Sequence, residues 1–388
     1  MNTTYNNRAG RYIRQQAGYR AFMPGPLPPV PAITLDAELQ KLLSSADRAL
    51  GRLDGSITTL PNPDLFVFMY VRKEAVLSSQ IEGTQSSLQD VLAAEARILD
   101  RQRPSDVREV LNYIAALRHG LERLPALPVS VRLFCEIHEK LMHGVRGSHL
   151  TPGEPRRTQN WIGPAGCTLN EAIFVPPPPH EVGQALSDLE KFLHYDDSLP
   201  LLVKIGIVHA QFETIHPFLD GNGRIGRLLI ALLLCEAGVL QKPVLYLSYF
   251  FKRERQAYYD HLQAIRGTGD WEAWLRFFLR GIVNVSQQAT ETARQILLLR
   301  EQHRAQIAEQ FGYSAGSGHR VLEAMYERPI ISVKDVALIT GNSYVAANNL
   351  VARLAALGLV QEVTGQARNR RFRYQPYIDL FEDGGHQY

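Results

Sequence analysis

Two apolar segments in the middle of the chain set the terms on which it can fold. Leu201–Ile215 and Arg224–Cys235 carry aliphatic residues at helical spacing and have the character of buried helices. Joining them is His216-Pro-Phe-Leu-Asp-Gly-Asn-Gly-Arg-Ile-Gly-Arg227, whose second half opens the second helix. A chain that buries both helices must enclose a loop bearing a histidine, an aspartate, an asparagine and two arginines.

That set of side chains suits anion chemistry. Gly221 and Gly223 let backbone N–H groups approach phosphate oxygens, and the dipole of the second helix points at the same place. Asp220 is a hard oxygen donor of the kind Mg²⁺ takes together with phosphates and water. Asn222 can donate to a phosphate oxygen, and Arg224 and Arg227 supply charge for a polyphosphate. His216 titrates near neutrality and is the natural base for a hydroxyl nucleophile. Two other readings compete. Gly221-x-Gly-x-x-Gly226 spells the dinucleotide fingerprint, but that fingerprint follows a strand and this segment follows a helix. A plain glycine-rich turn has no reason to gather these five side chains.

The rest of the chain is mainly α in pattern. Residues 1 to about 33 hold Pro24–Pro31, which predicts an extended N-terminal arm. Helices are predicted over Leu35–Leu53, Leu65–Leu77, Leu88–Leu99, Asp106–Leu124 and Val129–Met142, with a break near Arg103-Pro104. The irregular stretch Gly144–His180 contains Asn160-Trp-Ile and Ala172-Ile-Phe-Val175 around Gly163-Pro-Ala-Gly166, which predicts a short β-hairpin. Helices resume at Glu181–Leu193, and later at Lys252–Ile265 and Asp270–Gln288. Near the C-terminus, Arg320–Tyr326, Val333–Thr340 and Ser343–Leu357 precede strand-like Leu359–Val363 and Arg371–Tyr374. Three helices and a basic hairpin is the plan of a winged helix-turn-helix.

Composition narrows the setting. A net charge of +3 over 388 residues argues against a wholly basic surface. Cys135, Cys167 and Cys235 are widely spaced and form no C-x-x-C pair, which points to a reducing compartment. The polar N-terminus lacks a secretory signal, and the apolar run Leu228–Leu234 is too short for a bilayer, so a cytoplasmic protein without membrane contact is expected.

His216–Arg227 resembles the signature of the Fic (filamentation induced by cAMP) family, H-P-F-x-[DE]-G-N-G-R-x-x-R, at every fixed position. The likeness extends from about Pro24 to Gln288. It implies a helical Fic core with a β-hairpin flap over residues 116–290, preceded by an N-terminal arm and helical region over 1–115. The winged helix then occupies 291–388. The family's commonest activity is transfer of AMP from ATP to Ser, Thr or Tyr hydroxyls of proteins, with release of pyrophosphate. The resemblance thus implies an adenylyltransferase that uses ATP and Mg²⁺ and acts on target proteins and itself. His216 would deprotonate the target hydroxyl and Asp220 would hold Mg²⁺. Gly221, Asn222, Gly223 and Arg224 would cradle the phosphates, with Ile225 and Gly226 continuing the nucleotide-binding run, and Arg227 would meet the γ-phosphate. Doc-like kinase toxins of this superfamily carry lysine at the position of Gly223, which lowers the kinase reading.

Upstream, Ser78-Ser-Gln-Ile-Glu82-Gly83 matches the family's inhibitory pattern [ST]-x-x-x-E-[GN]. Ser78 and Glu82 share a helix face. The resemblance implies that Glu82 reaches Arg227 and takes the space the γ-phosphate needs. Glu171, Ala172, Ile173 and Phe174 resemble the flap that aligns a target peptide as an added strand. Tyr258 and Tyr259 are similar to the tyrosines that border adenine in relatives, and one of the two should be core. Arg266 stands where some relatives have asparagine. His138-Glu139 and His143 are one residue too far apart for a zinc-protease helix, and Trp271 and Trp274 have core spacing.

Other uses stay open. In the C-terminal module, Asn348, Asn349 and Arg353 with the basic run Arg368–Arg373 suit either DNA contact or protein docking. The chain could be a DNA-binding regulator whose Fic core senses nucleotide. The same site could also remove AMP, with Glu82 positioning water. A homodimer is compatible with the pattern, although no residues mark its surface.

Overall fold

The computed structural model describes residues 6–58, 63–98, 106–164, 166–195 and 198–382; the expected break near Arg103-Pro104 lies outside them. The N-terminal segment is not a simple extended arm. β1 (Asn6–Asn7), β2 (Gly10–Arg14) and β3 (Arg20–Pro24) form an antiparallel sheet in that order. Its turn closes by Gly18 N–H donating to Gln15 O at 2.9 Å. Phe22 is fully buried, and its N–H donates to Val175 O at 2.9 Å, so the sheet is tied to the region of the expected flap.

The helices follow their apolar spacing. α1 (Ala37–Thr58) buries Leu39, Ala46, Leu50, Leu53 and Ile57 on one face. Next come α2 (Pro63–Ile81) and α3 (Leu88–Glu95), the latter started by a capping box between Ser87 and Asp90. α4 (Val107–Arg123) and α5 (Val131–Leu141) lie side by side. α6 (Pro179–Tyr195) leads to α7 (Leu201–Ile215) and α8 (Asn222–Glu236). α7 is buried from Leu202 to Ile215 and touches α6, α8, α10 (Arg255–Thr268) and α11 (Trp271–Phe311). These neighbours cover α7 on all sides, so its apolar character all round is what the fold needs.

Two helices depart from expectation. The single helix expected at Lys252–Ile265 is α9 (Ser248–Arg253) plus α10, broken at Glu254 with φ −102° and ψ 37°. α11 runs on to Phe311, past the expected end at Gln288, because no proline interrupts it and Gly312 is the first strong stop. Trp271 and Trp274 on α11 are core residues, as their spacing suggests.

The C-terminal elements are α12 (Ala315–Glu327), β4 (Ile330–Ser332), α13 (Val333–Thr340), α14 (Tyr344–Ala356), β5 (Gln361–Glu362), β6 (Arg371–Arg373) and α15 (Gln375–Asp379). Their sheet is antiparallel with order β4–β6–β5. This unit sits against α2, where α12 packs and Tyr70 meets the edge of Phe381 at 5.2 Å. Among the described residues no helix is long and apolar enough to cross a membrane.

The flap differs from a regular hairpin. One antiparallel bridge joins Ile162 and Phe174, and a turn of 3₁₀ helix at Leu169–Glu171 fills the connection. Pro176–Pro179 lack N–H donors, so the ladder cannot continue past Val175.

Candidate active site

The loop between α7 and α8 begins with strain. His216 ends α7 in the left-handed region, φ 48° and ψ 60°. For a residue with a Cβ this costs about 1 kcal/mol or more. Its surroundings hold it there. Its N–H donates to Phe212 O at 2.9 Å, and its carbonyl accepts from Arg156 Nε at 3.0 Å and Asn160 Nδ2 at 3.2 Å. The buried Arg156 guanidinium also donates to Pro177 O at 2.6 Å and Thr158 O at 3.3 Å. Asn160 reaches Phe218 O as well, at 2.8 Å. The irregular stretch before α6 is thus a brace around the loop.

Asn222 closes the loop from the other end. Its side chain accepts from Phe218 N–H at 2.8 Å and donates to Phe218 O at 2.7 Å. The side-chain amide is thus bonded within the loop. Gly221, at φ 78°, supplies the left-handed step into α8.

His216 points its Nδ1 at Glu213 O, 3.3 Å away. A carbonyl only accepts, so Nδ1 carries the hydrogen and Nε2 keeps its lone pair. Burial pushes the imidazole down to about 4, helped by the cations Arg266 and Arg156, so the ring is neutral at physiological pH. Asp220 accepts from Gly221 N–H at 2.6 Å, and about a third of its side chain is exposed. Its carbonyl takes a hydrogen bond from His138 Nε2 at 3.0 Å, because Gly153 N–H at 2.8 Å occupies Nδ1. The His138 ring stacks on Phe218 with centroids 3.8 Å apart. His138 therefore supports the loop from α5.

The α8 residues divide by direction. Arg224 is buried and paired with Glu109 at 3.0 Å. Ile225 is fully buried, its N–H donates to Gly221 O, and a Cβ on Gly226 would stand 2.5 Å from Glu213 Oε1. Ile225 thus packs in the core, and Gly226 lies against Glu213. A Cβ on Gly223 would collide with Glu82 Oε1, which places the Glu82 carboxylate directly over the cradle.

Arg227 is where the two motifs meet. Its Nη2 donates to Glu82 Oε1 at 2.7 Å and to Ser78 O at 2.9 Å, and its Nε donates to Ser78 Oγ at 2.9 Å. Burial works to raise the Glu82 carboxyl, but the charge and hydrogen bond of Arg227, with Arg224 and His216, bring it below the usual range. Gly83 at φ 96° ends α2 just past this contact.

The tyrosine pair separates. Tyr258 is buried with its hydroxyl 2.8 Å from His209 Nε2, whereas Tyr259 keeps its ring 37 % exposed. His209 in turn contacts Gly226 O at 2.9 Å. Along the flap, Glu171 caps Thr168, Ile173 is exposed, and Phe174 is buried beneath Arg266, 3.8 Å from the ring centre. Ala172 is extended and partly buried. In the C-terminal unit, Arg353 donates to Gln310 O and Ser314 Oγ, and Arg370 to Asn348 Oδ1. Arg371 pairs with Asp335, and Arg373 donates to Gln89 on α3. These arginines are engaged within the chain.

Arg156, Asn160, His209 and Glu109 escaped the sequence reading. Each works through a main-chain carbonyl or a buried partner far away in sequence, which leaves no local pattern.

The chain is similar to known proteins in sequence and in fold. Residues 40–122 match the model described as Fic/DOC family N-terminal, and residues 128–234 match that of the Fic/DOC family. A protein adenylyltransferase Fic from Drosophila willistoni is 27 % identical over 259 residues, covering 61 % of this chain and 47 % of the relative. One from Culex quinquefasciatus is 29 % identical over 201 residues, covering 50 % and 35 %. The chain thus spans about half, or less, of the length of these relatives. In fold it is similar to the crystal structure of a Fic family protein from Desulfovibrio desulfuricans G20, with TM-score 0.58 and 19 % identity over 92 % of this chain and 99 % of that one. The chain belongs to the Fic/DOC family, with its matches over residues 40–122 and 128–234.

Proposed function

We propose that this chain transfers AMP from ATP to Ser, Thr or Tyr hydroxyls of proteins, itself included, and that Glu82 holds the reaction in check. The observation that carries the reading is the meeting of a neutral, braced His216 with the glycine-rich start of α8, above Arg224 and Arg227. The names of the relatives point the same way.

In this reading His216 Nε2 takes the proton of the target hydroxyl as its oxygen bonds to the α-phosphorus. The bond to the β-phosphate oxygen breaks, and pyrophosphate leaves. Main-chain N–H groups at the start of α8 face the developing charge. Asp220 is a single, partly exposed carboxylate, and no three His, Cys, Asp or Glu residues gather into a metal site among the described residues. That donor set fits Mg²⁺, which binds through one or two carboxylates together with phosphates and water. When bound, Mg²⁺ would neutralise phosphate charge; Asp220 would hold it. Ile173 and its neighbours would align the target main chain, and Tyr259 rather than Tyr258 would border the base.

The reading is tested by the intact mass of the purified chain after incubation with ATP and Mg²⁺. A gain of one adenylyl group, larger in Glu82→Gly and absent in His216→Ala, is expected. A gain of phosphoryl mass would contradict it.

A further inference from the structure

Glu213, three residues before His216 on α7, is the buried acid that the reaction above leaves without a task. Its carboxylate lies in a closed space. Oε2 is 3.9 Å from His216 Nδ1, and Oε1 is buried without a hydrogen-bond partner among the described residues. Space for it exists only because position 226 is glycine. Its main-chain carbonyl receives both His216 Nδ1, at 3.3 Å, and Arg266 Nη2, at 3.1 Å. A buried carboxyl with one orphaned oxygen is costly, so its retention beside a reacting imidazole calls for a use.

The electrostatics supply one. When His216 takes a proton from the target hydroxyl, an imidazolium forms next to two buried guanidiniums, Arg156 and Arg266. In the resting chain the Glu82 carboxylate offsets them, and the Glu213 side chain stands 3.9 Å from His216 Nδ1. Under the proposed function Glu82 must leave before ATP can bind. Glu213 is then the carboxylate that stays within ion-pair distance of His216 among the described residues.

Resting on that reading of the site, we propose that Glu213 is a positioning residue for His216. Its main-chain carbonyl keeps Nδ1 as the hydrogen-bearing nitrogen, and its carboxylate balances the imidazolium that forms as Nε2 accepts the proton. The proton passes from the hydroxyl oxygen to Nε2, and Glu213 gains none. The groups facing Glu213 are Arg227 of α8, Arg266 and Tyr258 of α10, Glu82 of α2, and His216 itself. Burial pushes Glu213 up to about 7; Arg227 and Arg266 oppose this, and Glu82 adds to it. Departure of Glu82 removes a like charge and so favours ionised Glu213 when its charge is needed.

The test compares Glu213→Gln with the parent, both carrying Glu82→Gly. The ring signals of His216 are followed by ¹⁵N NMR through the neutral range without nucleotide. Ionisation of Glu213 beside a still neutral ring should move these signals; Glu213→Gln should abolish the movement, and Glu213→Asp, which keeps the charge, should retain part of it. Self-adenylylation should fall on the order of tenfold in kcat, with KM for ATP little changed, and the rise in rate through the neutral range should vanish. His216 signals that move alike in the parent and in Glu213→Gln, with an unchanged melting curve, would overturn the proposal, as would full kcat with the pH profile intact. The titration needs no turnover. A chain that moved no AMP would remove the proposed function and still leave the His216 shift to be judged separately.

Discussion

Arg227 and Glu82 meet at 2.7 Å over Gly223, at the spot where a phosphate would approach the start of α8. Arg227 is 3 % exposed, and its Nε and Nη2 are taken up by Ser78 and Glu82.

This contact predicts a graded release. Glu82→Gly removes the competing anion and should raise ATP affinity and self-modification by one to two orders of magnitude, taking a charge-assisted bond as about 1.5–3 kcal/mol. Ser78→Ala removes only the Nε partner and should give roughly fivefold, for about 1 kcal/mol. Titration of ATP binding across the three proteins checks the order. Equal affinity in all three would show that Glu82 does not compete.

A second expectation concerns the brace. Arg156→Ala leaves the carbonyls of His216 and Pro177 without their buried donor and should cost roughly 2–4 kcal/mol in urea denaturation. Asn160→Ala, which loses weaker contacts to His216 O and Phe218 O, should cost less, about 1 kcal/mol. Its larger effect should be on kcat, because the left-handed turn at His216 is then held by fewer donors. Unchanged kcat at unchanged stability would show that the turn holds without it.

The two tyrosines should respond differently. Tyr258→Phe deletes a buried hydroxyl bonded to His209 and should cost about 1 kcal/mol of stability. Tyr259→Ala should leave the melting temperature nearly unchanged and raise KM for ATP several-fold, on the order of 1 kcal/mol of lost stacking. The opposite pattern would put the base against Tyr258.

The contiguous part of the site was readable because twelve adjacent positions, His216 to Arg227, hold its chemistry. The meeting of Ser78 and Glu82 with Arg227 was readable because the two lie four residues apart at the end of α2. What stayed hidden acts at a distance in sequence. Arg156 and Asn160 grip carbonyls some sixty residues on, Glu109 reaches Arg224 from α4, and His138 supports Asp220 from α5. Carbonyl partners leave no trace in residue identity. A linear motif also does not say which face of α8 each residue takes: Ile225 is buried in the core and Gly226 lies against Glu213. The N-terminal sheet was masked by its own prolines and by strands of five residues or fewer.

Stability should depend on pH through Glu74, which accepts from Ser248 N–H at 3.0 Å and Tyr113 hydroxyl at 3.2 Å. Burial pushes it up to about 7 from an ordinary 4.5, against the pull of Ser248, Arg227 and Tyr113. The fold therefore prefers its protonated form. Its contribution is complete below about 4.5 and is lost as pH rises through about 7, by on the order of 3 kcal/mol. Urea denaturation from pH 5 to 8 should show this decline, and Glu74→Gln should flatten part of it; Glu213, raised likewise, accounts for more. An identical slope in Glu74→Gln would contradict the assignment.

The most direct measurement is incorporation of label from α-labelled and γ-labelled ATP into the purified chain with Mg²⁺, in wild type, Glu82→Gly and His216→Ala. The account predicts label from the α position alone, stronger in Glu82→Gly and absent in His216→Ala. Label from the γ position, or equal α label with and without His216, would contradict it.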